Sequence, residues 1–80
     1  MTFCEAYRYA MEHSKRFRDH DAEVKKARNE GKMSPCLIFS VEPGETFYYG
    51  FDGVDVCKGK HTRRRASTLL NRKDEVLIIM

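Results

Sequence analysis

Residues 35–57 read PCLIFSVEPGETFYYGFDGVDVC, and this stretch decides the fold. Apolar, β-branched and aromatic side chains fill three short runs, and two turn signals separate them. The first run, 35–41, is a strand by composition. Glu42-Pro43-Gly44-Glu45 then predicts a type II turn, in which Pro presets φ at the second position and Gly supplies a positive φ at the third. Residues 46–51 are the second strand, with Phe47, Tyr49 and Phe51 on one face and Tyr48 on the other. Asp52-Gly53 suits a tight hairpin into a third strand at 54–57, where Val54 and Val56 point the same way. The expectation is an antiparallel three-stranded meander.

Upstream, Thr2-Phe-Cys-Glu5 has the form of a capping box. Behind it Phe3, Ala6, Ala10, His13, Phe17, His20, Val24 and Ala27 alternate three- and four-residue steps, and Tyr7 and Met11 widen the stripe. Arg8, Glu12, Lys15, Asp19, Glu23, Lys26 and Glu30 occupy the opposite face, and Gly31 is a natural helix stop. A single helix over 3–30 would be about 42 Å long, against a diameter of about 30 Å for a globule of this size. A break with Asp21 as N-cap would shorten it. The stripe keeps its phase through that point, and one long helix is expected, kinked or frayed.

Downstream, residues 58–73 read KGKHTRRRASTLLNRK: seven cations and no acid. The meander before it carries Glu42, Glu45, Asp52 and Asp55 with no Lys or Arg, so the chain is electrically divided. A short helix is expected over 66–71 and a last strand over 76–80. The fold class is therefore α+β in one domain, 1–80: a long N-terminal helix packed on an antiparallel sheet of about four strands, ordered α-β-β-β-(short α)-β. Strands 36–41 and 76–80 are apolar on both faces, and the helix covers one face only. The other needs the short helix or a second copy of the chain, which makes a homodimer a candidate state.

Composition narrows the class. Eighty residues with 41% hydrophobic and 34% charged residues describe one small folded domain. Cys4, Cys36 and Cys57 are odd in number and widely spaced, unlike a secreted disulfide framework. The N-terminus has no signal-peptide pattern and no apolar run could span a bilayer, so a cytoplasmic protein with reduced thiols is expected and no membrane partner.

The basic segment is the candidate site. Lys58, Lys60, Arg63, Arg64, Arg65, Arg72 and Lys73 together could grip a polyanion, since guanidinium and ammonium groups neutralise phosphates. The competing reading pairs them with the acidic meander of the same chain or of a dimer mate. A nucleic-acid partner also calls for aromatic side chains to stack on bases, and Tyr48 and Tyr49 are the candidates; a core role is the alternative for both. An acidic protein surface is the rival partner.

Other signals are weaker. Arg64-Arg65-Ala66-Ser67 matches a basophilic kinase pattern, a short motif common by chance. His13 and His20 lie one heptad apart, and Cys57-x-x-x-His61 is half of a zinc spacing; neither completes a ligand set, so no metal and no cofactor is expected. No glycine-rich phosphate loop or nucleophile–base motif is present, so no catalytic residue is assigned and the protein is expected not to be an enzyme.

No family is recognised. The opening MTFCEA, the central IFSVEPGETF and the closing LLNRKDEVLII faintly resemble segments of small phage anti-defence sponge proteins. The Trp-containing segment of that family has no counterpart, as the chain has no Trp. The resemblance implies a phage or mobile-element accessory role, either inhibition of a host protein or capture of a nucleotide-derived ligand. The primary expectation is a small non-enzymatic binding protein whose segment 58–73 engages an anionic partner, with nucleic acid preferred.

Overall fold

The computed structural model describes residues 1–60 and 76–79. The N-terminal region is two helices, α1 (Phe3–His13) and α2 (Lys15–Glu30). Thr2 and Glu5 close the expected capping box, with Thr2 Oγ1 accepting from the Glu5 amide and Glu5 Oε1 from the Thr2 amide. The break falls at Ser14, not at Asp21. Ser14 is extended (φ −133°, ψ 114°); its amide donates to the Ala10 carbonyl, ending α1, while its Oγ accepts from the Phe17 amide, starting α2. Arg18 donates from one guanidinium nitrogen to the carbonyls of Met11 and Glu12, covering the last turn of α1. Size explains the division: the molecule is 34 Å in its longest dimension, shorter than the about 42 Å of an unbroken 28-residue helix.

The predicted stripe is otherwise the buried one. Ala6, Ala10, Phe17, His20, Val24 and Ala27 are buried, and the seven residues assigned to the opposite face are exposed. His13 departs from it: one extended residue after it turns the chain, and the ring lies exposed against Tyr9 with centroids 4.2 Å apart. The second helix ends at Gly31 in the left-handed conformation.

Four strands follow: β1 (Leu37–Glu42), β2 (Glu45–Phe51), β3 (Val56–Lys60) and β4 (Val76–Ile78), in the spatial order β3-β2-β1-β4. The meander is antiparallel as expected, with Phe39 opposite Phe47 and Tyr49 opposite Lys58. Gly44 has φ 82°, the value the Pro43-Gly44 turn demands. Ser40 occupies an irregularity between Phe39 and Glu42, its hydroxyl within 2.9 and 2.7 Å of the Glu42 and Glu45 carbonyls. The last strand is a departure: β4 lies parallel to β1, so the sheet is mixed. The expected helix at 66–71 falls outside the described residues.

Both helices pack on one face of the sheet. Phe17 and Phe39 stand 4.6 Å apart between ring centroids at the centre of that layer, with Leu37, Val41, Phe47, Tyr49, Phe51 and Ile79 around them. On the opposite face Ile38 and Tyr48, 2% and 8% exposed, form a second cluster with the half-buried Cys36 and Cys57. Among the described residues no helix is long and apolar enough to cross a membrane.

Candidate functional site

The third strand begins later than Asp52-Gly53 predicted. Asp52 Oδ1 accepts from the amides of Val54 and Asp55, and Asp55 Oδ1 from Val56, which organises residues 52–55 into a longer loop. Those bonds hold the Asp52 carboxyl below its ordinary pKa of 3.8, the Asp55 and Val54 amides first and the Cys57 thiol after them. Val54 is accordingly out in solvent, and β3 runs on to Lys60, so the basic segment starts inside the sheet.

Lys58 shares its face with Tyr49. It is exposed, and its Nζ sits 5.9 Å from the centroid of the Phe3 ring, a cation–π distance. Beside it a groove of about 620 Å³ opens between α1, α2, β2 and β3. Phe3, Tyr7, Met11, Val56 and Tyr49 supply its apolar wall, while Arg8 from α1, Arg28 from the last turn of α2 and Lys58 supply three cations. Glu12 is the one carboxylate of the lining, and it lies 3.9 Å from His13.

A polar cluster fixes two rings of that groove. Tyr7 and Tyr49 both donate to Asp21 Oδ1, at 2.6 and 2.8 Å, and Lys25 Nζ lies 2.9 Å from Asp21 Oδ2. Burial alone would raise the Asp21 pKa; the bonds from Tyr7, Lys25 and Tyr49 outweigh it and bring the carboxyl below its ordinary value. Burial and the bond to Asp21 push the Tyr7 hydroxyl up to about 12, and Tyr49 shifts upward for the same reasons. His20 donates from Nε2 to the Tyr49 carbonyl at 2.7 Å, which fixes its tautomer. Burial lowers its pKa against the opposing pull of that bond.

The sequence candidates fare unequally. Lys58 is at the groove. Lys60 is described in its backbone only, paired with Phe47. Arg63, Arg64, Arg65, Arg72 and Lys73, and with them the kinase pattern and His61, lie outside the described residues. Tyr48 and Tyr49 are 8% and 7% exposed, so both rings are core residues and neither offers an open face for a base to stack on. His13 and His20 are not brought together: one is exposed, the other buried against β2. Among the described residues no three His, Cys, Asp or Glu side chains converge as a metal site.

Three residues of this region were not singled out as site candidates. Arg8 reads as an ordinary charge of the polar helix face, and nothing in the sequence marks Arg28. Asp21 carried a detectable signal, since Phe17, Asp21 and Val24 follow helical spacing and place a carboxylate on the buried stripe. No family model matches the chain, and searches of curated proteins and of solved structures return no match.

Proposed function

We propose that the chain is a non-enzymatic binding module that engages nucleic acid through the phosphate backbone. The observation carrying this reading is the seat of Lys58. The basic segment does not start in a loop but on a paired strand, and there its first lysine joins Arg8 and Arg28 on one exposed groove. Lys58 is also the first residue of the sequence run that holds Lys60, Arg63, Arg64, Arg65, Arg72 and Lys73. Phosphate neutralisation by such side chains supplies affinity without base contacts. The burial of Tyr48 and Tyr49 favours the same mode, because recognition by stacking would need open rings.

Nor are the carboxylates of the meander all idle counter-charges. Asp52 and Asp55 are committed to loop amides. Binding to duplex DNA measured against salt tests the proposal. With four or five phosphates neutralised, log K falls against log salt with a slope of about −4. A slope near zero, or no binding at low salt, overturns it. Binding retained after nuclease treatment of a lysate complex would favour an acidic protein surface instead.

A further inference from the structure

We propose that the groove between α1, the end of α2 and β3 is a binding site for a small aromatic phosphate. Its volume, about 620 Å³, lies within the range of sites that take a drug-sized molecule, roughly 300–1,000 Å³. Its wall is apolar and partly open. Phe3, Tyr7, Met11 and Val56 are each only half-buried and are packed against the core behind them. That wall calls for a flat or apolar body, and a methionine among aromatic rings adapts to its outline.

The rim calls for an anion. Arg8, Arg28 and Lys58 come from three different elements and are exposed, and none makes an ion pair with a described residue. Glu12 in the lining and Glu5 beside Arg8 offset part of the three charges, the rim stays net positive with both counted, and two guanidinium forks suit phosphate oxygens.

The geometry is preorganised as well. Tyr7 is locked by its hydroxyl bond to Asp21, and the Tyr7 and Tyr49 rings meet edge to face with centroids 5.6 Å apart. Phe3 neighbours both Tyr7, with centroids 6.0 Å apart, and the Lys58 ammonium, 5.9 Å from its ring centre, so the apolar wall and the cation are set relative to each other before any ligand arrives. The site shares Arg8, Arg28 and Lys58 with the nucleic-acid reading but does not rest on it.

The test is a titration of the ¹⁵N-labelled chain with 1-naphthyl phosphate, inorganic phosphate and 1-naphthalenemethanol, followed by amide shifts. The phosphate ester is expected to saturate with a Kd of about 0.5 mM, from typical affinity per ligand atom. Its shifts should map to Phe3, Tyr7, Arg8, Met11, Val56 and Lys58. Inorganic phosphate and the neutral alcohol should each bind roughly tenfold more weakly or worse, since each satisfies one half of the site. The combined variant Arg8→Gln, Arg28→Gln, Lys58→Gln should lose roughly tenfold in affinity while its circular dichroism stays native. Equal binding of the alcohol, unchanged binding by the variant, or shifts centred elsewhere overturns the proposal. The Arg63→Ala, Arg64→Ala, Arg65→Ala variant separates the two readings: it should weaken DNA binding and leave naphthyl phosphate binding intact.

Discussion

The cluster around Asp21 and the rim around Lys58 are built from the same materials, tyrosine rings and formal charges, and they meet at Tyr7 and Tyr49. In the first, the carboxylate is interior and both its oxygens are bonded: two hydroxyls meet Oδ1 and the ammonium of the exposed Lys25 meets Oδ2. In the second, the charges are exposed and the apolar surface beside them is only half covered. Buried charge that is fully partnered holds a fold together, because removing any member strands the others. Exposed charge on an open groove costs the fold little and remains available to a ligand. The comparison teaches that charge alone does not mark a site; partnering does.

The sharpest way to break the comparison is Asp21→Ala. Two tyrosine hydroxyls would lose their acceptor inside the helix–sheet layer, and a loss of about 3 kcal/mol is expected, read as a lower urea midpoint. A loss under half that size would mean the hydroxyls find water and the cluster is not structural.

Next in size comes the hinge between the helices. Ser14→Ala removes the acceptor of the Phe17 amide and should cost about 1 kcal/mol. Thermal unfolding would show it, and an unchanged midpoint would place the cap elsewhere.

The interior cluster also predicts a pH profile that the rim does not. His20 is held neutral in the fold by burial, so the unfolded chain takes up its proton first as pH falls below 6.5. The unfolded state then binds more protons and stability drops. The Asp21 contribution is complete above its ordinary value of 3.8 and is lost as pH falls through its lower folded value. Urea midpoints between about pH 4 and 6.5 should decline in the native chain and be flatter in His20→Gln; identical slopes would refute the assignment. The smallest effect belongs to the rim: Arg8→Gln, Arg28→Gln and Lys58→Gln together should move stability by no more than about 0.5 kcal/mol. A larger fall would show that these charges are structural after all.

Much of this architecture is legible in the sequence. The Pro43-Gly44 turn, the inward face Phe47–Tyr49–Phe51 and the buried helix stripe follow from local rules, φ preferences and side-chain periodicity, which act within a few residues. The departures have longer reach. The stripe keeps its phase across Ser14 because one extended residue bends the axis without displacing most of the pattern, and only His13 is thrown outward. The parallel pairing of β4 depends on which edge a distant strand meets, and 76–80 carries no mark of direction. Val54 and Val56 look like successive strand residues, and only the Asp52 carboxylate, by capturing two amides, delays the strand to Val56. The site was legible in part: Lys58 belonged to a conspicuous run, whereas Arg8 and Arg28 became neighbours through the packing of three separate elements.

The close approach of β2 to the chain before β1 adds a constraint no pattern announced. A Cβ at Gly50 would lie 2.9 Å from the Pro35 carbonyl oxygen, so any larger residue there must displace backbone.

The Asp21 cluster also has an optical consequence. With no tryptophan and four tyrosines, the protein's intrinsic emission is tyrosine emission. An excited tyrosine is a stronger acid than its ground state and gives up its energy readily to a carboxylate that already holds its proton in a hydrogen bond. Tyr7 and Tyr49 are both in that position. Emission from these two of the four rings is therefore expected to be quenched in the native chain and to recover on unfolding, so the breaking of this one carboxylate's bonds should be readable as a gain of light.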